Sequence, residues 1–393
     1  MSDSIREVTS VSWFGRLTRS AGGIVFGLLL LVAMVIGLFW NEGRAVTTAR
    51  SLEEGAGLVQ TVPSDRIDPA LEGRLVHVAG PVAATAEPRD DLFGVVAAGI
   101  RLERSVEMYQ WVERQKSETK TKLGGGEETV TTYSYEKAWS TDAIDSGRFK
   151  QPEGHANPGM NYSSESFQIP QASLGAFRLD TPVLDRIGGA EKLSLDQGMI
   201  DAVKASYTGP RGLHVASSGA YMGFDPSSPR IGDYRLSWQV VPLGPVSVVG
   251  RQTGDGFAAY QTVAGNRLLM VESGVVAADQ MFADAMTGNT ILTWALRAGG
   301  LLLLMFAFSM IMGPVGVLAD VIPFLGSLVR LGTGAIAFVL AVLVGSVTIA
   351  LAWFWYRPLL AIGIVVAAVA IAVLVSRFGR KAAAEPSTPA PAA

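Results

Sequence analysis

The sequence predicts a multi-pass α-helical membrane protein with four transmembrane helices and a large β-rich α+β extracytoplasmic domain. Three observations carry this fold class. Hydrophobic residues make up 49% of the 393 and charged residues only 17%, where an average globular chain carries roughly 25% charged. Four apolar stretches approach the length that crosses a hydrocarbon core, and between the first and second a long segment alternates apolar and polar residues. The same composition excludes other classes. A net charge of −3 offers no basic field for nucleic acid. The absence of cysteine rules out disulfides, thiol nucleophiles and thiolate zinc sites. His77, His155 and His214 are too scattered to suggest a His-rich metal site, which leaves a carboxylate site open; no metal ligands and no cofactor are assigned.

Residues 1–20 read as a cytoplasmic interfacial segment. Trp13, Phe14 and Leu17 share a helical face, and Arg16 and Arg19 can reach anionic headgroups. Residues 21–40 hold no charge and form the first span; the run is too long for a signal-peptide core, so it reads as an uncleaved anchor. The chain then leaves through "FWNEGRAV". Trp40 suits headgroup depth, and Asn41, Glu42 and Arg44 follow at once. Glu42 and Arg44 stand two apart and point to different sides of a helix, one toward the following domain and the other toward a lipid phosphate.

Residues 41–293 form the β-rich domain, for which a small barrel with helical insertions is one form. "RLERSVEMYQWVERQ" puts Leu102, Val106, Met108 and Val112 on one face, and "TVTTYSYEKAW" puts Thr131, Tyr133, Tyr135 and Trp139 on one face. The glycine-rich connection between them predicts a long hairpin. Arg74–Thr85 reads as a strand and turn, and the stretch from Asp233 to Gly274 as a meander of about four strands. Ser173–Ile187, Lys192–Ala205 and Glu272–Met286 have helical spacing. "GHANPGM" offers His155 and Asn157, where a loop-closing hydrogen bond competes with a functional role. The acid pair Asp90-Asp91 reads as a solvated loop.

The second span covers 294–318. An interfacial or re-entrant loop follows at 319–333, apolar but broken by Pro323, with Asp320 as its acidic group. An acid at membrane depth is a functional candidate; facing water or capping a helix is the simpler reading. The third span covers 334–355 and the fourth 359–376, joined through Arg357-Pro358, and 377–393 is a disordered cytoplasmic tail rich in Pro and Ala. Arg6, Arg16, Arg19, Arg330, Arg377, Arg380 and Lys381 stand against Arg44, Arg50, Arg297 and Arg357 at the span ends. That bias places both termini in the cytoplasm.

"FWNEGRAVTTARSLEEG", "VEMYQWVE", "YSYEKAW", "GHANPGM", "GDYRLSW", "VIPFLGSLV" and "WYRPL" occur in the order of the transmembrane protein 43 (LUMA) family, which the chain resembles from about Trp13 to Phe378. The resemblance implies four spans and a large lumenal or extracytoplasmic loop likened to an OB-type barrel. It also implies an endomembrane protein, in the endoplasmic reticulum and inner nuclear membrane of animals, that organises nuclear-envelope assemblies. No catalytic residues come with it. Sparse lysine, abundant Ala and Gly and the missing cysteines suggest a bacterial member, which would sit in the cytoplasmic membrane. The expected function is a non-enzymatic membrane scaffold whose partners are membrane lipids, other membrane proteins or a second copy of the chain. The alternative is a membrane-embedded enzyme of lipid metabolism using acids at the domain–bilayer junction. Trp40, Asn41, Glu42, Arg44, His155, Asn157 and Asp320 are the candidate interaction or structural residues.

Overall fold

The computed structural model describes residues 4–359, 361–364, 366–368 and 371. Its helices include α1 (Trp13–Leu58), α2 (Thr181–Leu184), α3 (Gln197–Ser206), α4 (Ala278–Ile311), α5 (Gly313–Ala319) and α6 (Pro323–Tyr356). The chain divides into two compact units. One is β-rich and comprises the strand Ser4–Val11 with Arg50–Thr121 and Glu127–Met286; the other is helical and comprises Ser12–Ala49, Lys122–Gly126 and the chain from Thr287 onward.

Among the described residues, three helices are long and apolar enough to cross a membrane: α1, α4 and α6. The fourth expected span is helical at 359, 361–364, 366–368 and 371, and its remainder, with the tail 377–393, lies outside the described residues. Two helix bounds lie beyond the expected segments. Helix α6 takes in most of the stretch 319–333 as well as 334–355, because the prolines flanking this stretch sit at helix starts, where their fixed φ and missing N–H are tolerated. Helix α1 is 46 residues, about 69 Å at 1.5 Å per residue, so the polar exit lies on a continuous helix. Nothing in "GRAVTTARSLEE" breaks it; Arg, Ala, Leu and Glu all favour helix.

Glycines set how closely the helices of this unit approach. A Cβ on Gly27 would stand 2.8 Å from the Ala307 carbonyl, and one on Gly300 would stand 2.6 Å from Leu38. The close approach buries Leu38, Leu304 and Ala341 together.

The β-rich unit is built on the predicted hairpin. Arg101–Thr121 pairs with Glu127–Ser140 from Met108↔Ser140 to Thr121↔Glu127. At the tip, Gly124 and Gly125 take φ of 88° and 78°, which side chains with a Cβ adopt only at a cost. Leu102, Val106 and Met108 are fully buried, as their period of two requires. An eight-stranded sheet runs from Ser4–Val11 through the two hairpin strands to Tyr234–Val241, Gly219–Met222 and Leu213–Ala216, with two short strands attached. A seven-stranded sheet centres on Leu75–Ala83 paired with Pro245–Thr253. Each sheet carries its own apolar cluster, one around Val78, Phe177 and Val248 and the other around Phe93, Met108 and Trp238.

Several local expectations give way. Within the segment 1–20 expected at the interface, Ser4–Val11 is an edge strand laid antiparallel on Glu127–Ser134, and the helical stretch that carries Trp13, Phe14 and Leu17 begins at Trp13. Ser173–Ile187 is a hairpin, Gln171–Leu174 with Phe177–Asp180, followed by the four residues of α2. Ala172, Leu174, Phe177 and Leu179 are buried on an alternating pattern, and Gly175, at φ 62°, makes the turn. Glu272 lies on the strand Met270–Ser273, and α4 starts only at Ala278. Asp90 is not solvated. It is fully buried, accepting from Arg104 Nη1 at 2.5 Å and from the Trp238 indole N–H at 2.9 Å.

Candidate functional site

In the helical unit the polar exit of α1 turns toward its neighbours. Glu42, 2% exposed, accepts from Arg297 Nε and Nη2 at 2.7 Å each and from the Trp353 indole N–H at 2.9 Å. One carboxylate thus joins α1, α4 and α6. The fork of Arg297 matches the two oxygens of Glu42, the strongest geometry an exchange of this kind has. Its guanidinium also lies 4.7 Å from the Trp294 ring centroid and 5.9 Å from that of Trp353, so aromatic faces cover what the carboxylate does not. Gly43 faces Tyr356, whose ring a Cβ would approach to 2.6 Å.

Two residues on, Arg44 donates to Asn41 Oδ1 at 3.2 Å, to Asn289 Oδ1 at 3.0 Å and to Thr293 Oγ1 at 2.9 Å. Asn41 donates to the Thr293 carbonyl at 3.3 Å, and Asn289 returns a bond to the Ala45 carbonyl at 3.0 Å. Glu42 and Arg44 do diverge, but both end on other helices of this unit, so the expected pairing of one with the following domain and the other with lipid phosphate is not what the structure holds. Trp40 is 62% exposed, leaving its ring free to lie among headgroups.

Asp320 forms a second node in the same unit. Its side chain is fully buried, and Oδ2 accepts from Arg16 Nη2 at 2.6 Å and from Arg330 Nη1 at 2.5 Å. Arg16 Nη1 donates on to the Gly125 carbonyl at 2.6 Å, while Trp13 donates to the Val317 carbonyl at 2.9 Å. Among the described residues Asp320 Oδ1 is buried with no hydrogen-bond partner, and it lies so close to Gly326 that a Cβ there would overlap it. The expectation of a hydrated Asp320 at the water boundary is therefore corrected. The two arginines offset the cost of taking this carboxylate out of water, and removing either would leave a buried charge uncompensated.

His155 and Asn157 fall in the β-rich unit, apart from both nodes. The His155 ring stacks on Tyr135 at 3.9 Å between centroids, and its Nδ1 lies 3.0 Å from the Gln151 carbonyl. Asn157 accepts from the Trp111 N–H at 2.7 Å and donates to the Trp111 carbonyl at 3.0 Å. That is a loop-closing arrangement, pinning "GHANPGM" to the hairpin. Among the described residues no group of three or more His, Asp or Glu could hold a metal ion.

The sequence reading passed over Arg16, Arg297, Arg330 and Trp353 as partners. The signal was available. An Arg at the edge of an apolar run needs an acid in reach; Glu42 stands two residues past the first apolar run and Asp320 lies in the apolar stretch 319–333. Which Arg meets which acid depends on helix packing that no local pattern fixes.

The sequence compares with known proteins over most of its length. It is 32% identical over 378 residues to Transmembrane protein 43 of Homo sapiens, covering 92% of this chain and 91% of that one. It is 33% identical over 359 residues to the Mus musculus protein of that name, covering 88% and 87%. It is 28% identical over 348 residues to the Transmembrane protein 43 homolog of Drosophila melanogaster, covering 86% and 89%. No solved structure matches it. The family model described as Transmembrane protein 43 matches residues 108–358, a range that takes in the hairpin, α4, α5 and α6, and the chain belongs to the transmembrane protein 43 family.

Proposed function

We propose that this integral membrane protein is a non-enzymatic scaffold that organises membrane proteins or lipids through its β-rich unit. The observation that carries the reading is the use made of the polar groups near the apolar helices. Glu42, Arg297, Arg44, Arg16 and Asp320 are engaged with one another and with backbone carbonyls. A proton relay, an ion path or an acid–base pair needs groups turned toward a cavity or a substrate. These groups hold helices together, which suits a body that presents a surface. The junction acids that a lipid-metabolising enzyme would use are the same ones already held in ion pairs.

Isolation of the full chain from its own membrane in lipid nanodiscs, with mass spectrometry of everything retained, tests the proposal. The expected result is one or a few membrane proteins, a second copy, or a lipid class held at fixed stoichiometry and unchanged chemically on incubation. Retention of nothing beyond bulk lipid, or conversion of a lipid that Glu42→Gln or Asp320→Asn stops without loss of folding, would contradict it.

A further inference from the structure

A cavity of about 860 Å3 opens in the β-rich unit between the end of α1, the start of α4 and the strand Leu75–Ala83, a size in the range of small-molecule sites. Its interior is apolar. Leu52, Ala56, Val59, Phe282 and Met286 line it, and Val275 closes one side with 73% of its surface exposed. The wall that carries Val275 is held in place by His77. This buried ring lies 2.9 Å from the Val276 carbonyl through Nε2 and 3.2 Å from Thr61 Oγ1 through Nδ1. A carbonyl only accepts, so Nε2 donates and the Thr61 hydroxyl serves Nδ1. Both ring nitrogens have a partner, which leaves His77 a positioning residue with no free nitrogen for a ligand.

The charged groups among the lining residues are of one sign. Glu53 and Asp279 line it and are both exposed, and among the described residues neither Lys nor Arg lines the cavity. An apolar cavity whose charged lining groups are carboxylates alone is complementary to an apolar body with a positive end. Fatty acids and other anionic amphiphiles would bring a negative head to two negative groups.

We propose that this cavity binds an alkyl-ammonium amphiphile, its tail against Leu52, Phe282 and Met286 and its cationic head at Glu53 and Asp279. Such a site works without any assembly partner, so its failure would leave the scaffold reading standing.

The test uses the full chain in nanodiscs of uncharged lipid and two photoreactive probes. One is a twelve-carbon alkyl trimethylammonium with a diazirine in its chain, and the other is the matching alkyl carboxylate. After irradiation the labelled peptides are mapped. The ammonium probe should label 52–59 and 275–286, and an excess of unlabelled ammonium should remove that label. The carboxylate probe should label these peptides about five-fold less, the effect of two solvent-exposed charge contacts. Ala56→Trp, which fills the cavity from an exposed helix position, should abolish the label. Glu53→Gln with Asp279→Asn, both at the surface, should erase the difference between heads while keeping the tail's label. Label confined to the apolar spans, equal labelling by both probes in the unaltered chain, or a head preference that survives the double substitution would each overturn the proposal.

Discussion

Glu42 and Arg297 answer each other's charge across two helices, so the loss of either leaves the other buried and unpaired. Arg297→Gln and Glu42→Gln should each destabilise the chain by about 3–5 kcal/mol, the range for breaking a buried pair. The double substitution should cost clearly less than their sum; thermal unfolding of the full chain in nanodiscs measures all three, and additive losses would contradict the pairing. Asp320→Asn removes the single anion between Arg16 and Arg330 and should cost about 3 kcal/mol by the same reasoning. Leu325→Asp, at a position 44% exposed, should cost no more than that, since a new charge is cheaper toward the interface than at the bilayer centre. The opposite order would return Asp320 to the hydrated role that its sequence context alone suggests. His77 adds a pH dependence outside the spans. Burial lowers its pKa below the ordinary value of 6.5, against weaker upward pulls from the Val276 carbonyl and Asp279. The folded state therefore takes up the proton later than the unfolded chain does. Its contribution is neutral at high pH, and stability falls as pH drops from 6.5 through the lowered folded value. The β-rich unit's melting temperature should decline over that acid window, and His77→Gln should flatten the decline.

At the scale of elements, much of the fold was legible because its signals are periodic and local. The hairpin strands alternate cleanly, glycines mark their tip, and the apolar runs of α1, α4 and α6 announce themselves by length. The abrupt charge after the first apolar run marks a polar cluster whose members divide: Glu42 meets Arg297 and Trp353, while Asn41 and Arg44 meet Asn289 and Thr293. The failures lie where a short apolar run fits two periods. "QASLGAFRLD" satisfies helix or strand, and tertiary pairing with Leu75–Ala83 decides for strand. Asp90 and Asp320 were misplaced for another reason: their partners come from distant segments, 14 residues on at Arg104 and 304 back at Arg16. The hairpin reading has its own test. Gly175 takes φ 62°, and a Cβ there would collide with the Ser64 carbonyl. Gly175→Ala should destabilise the β-rich unit by about 1–3 kcal/mol, seen as a lower midpoint in thermal unfolding. A helix through 173–187 would instead gain from the substitution, because Ala favours helix over Gly by about 1 kcal/mol.

For the whole molecule, one sheet is built from residues that lie on both sides of α1 in the chain. Ser4–Val11 precedes the helix and Glu127–Ser134 follows it, yet the two run antiparallel in register from Ser4↔Ser134 to Val11↔Glu127. Lys150 adds an ion pair to Glu7 on that strand at 2.9 Å, holding the Glu7 carboxyl below its usual range through hydrogen bonding and charge. Strands that pair along their length must meet on one side of a membrane, so this register and a single crossing by α1 between them exclude each other, a conflict that a count of basic residues at span ends does not contain. The most direct measurement uses the absence of native cysteine. Ser4→Cys with Ser134→Cys, in the full chain in its membrane, places two thiols on facing residues whose Cα atoms in such a ladder stand about 4.5–5.5 Å apart, within disulfide reach. Mild oxidation should give an intramolecular cross-link in high yield, and a membrane-impermeant thiol reagent should reach both single-cysteine variants from the same side. No cross-link, together with labelling of the two positions from opposite sides, would contradict it.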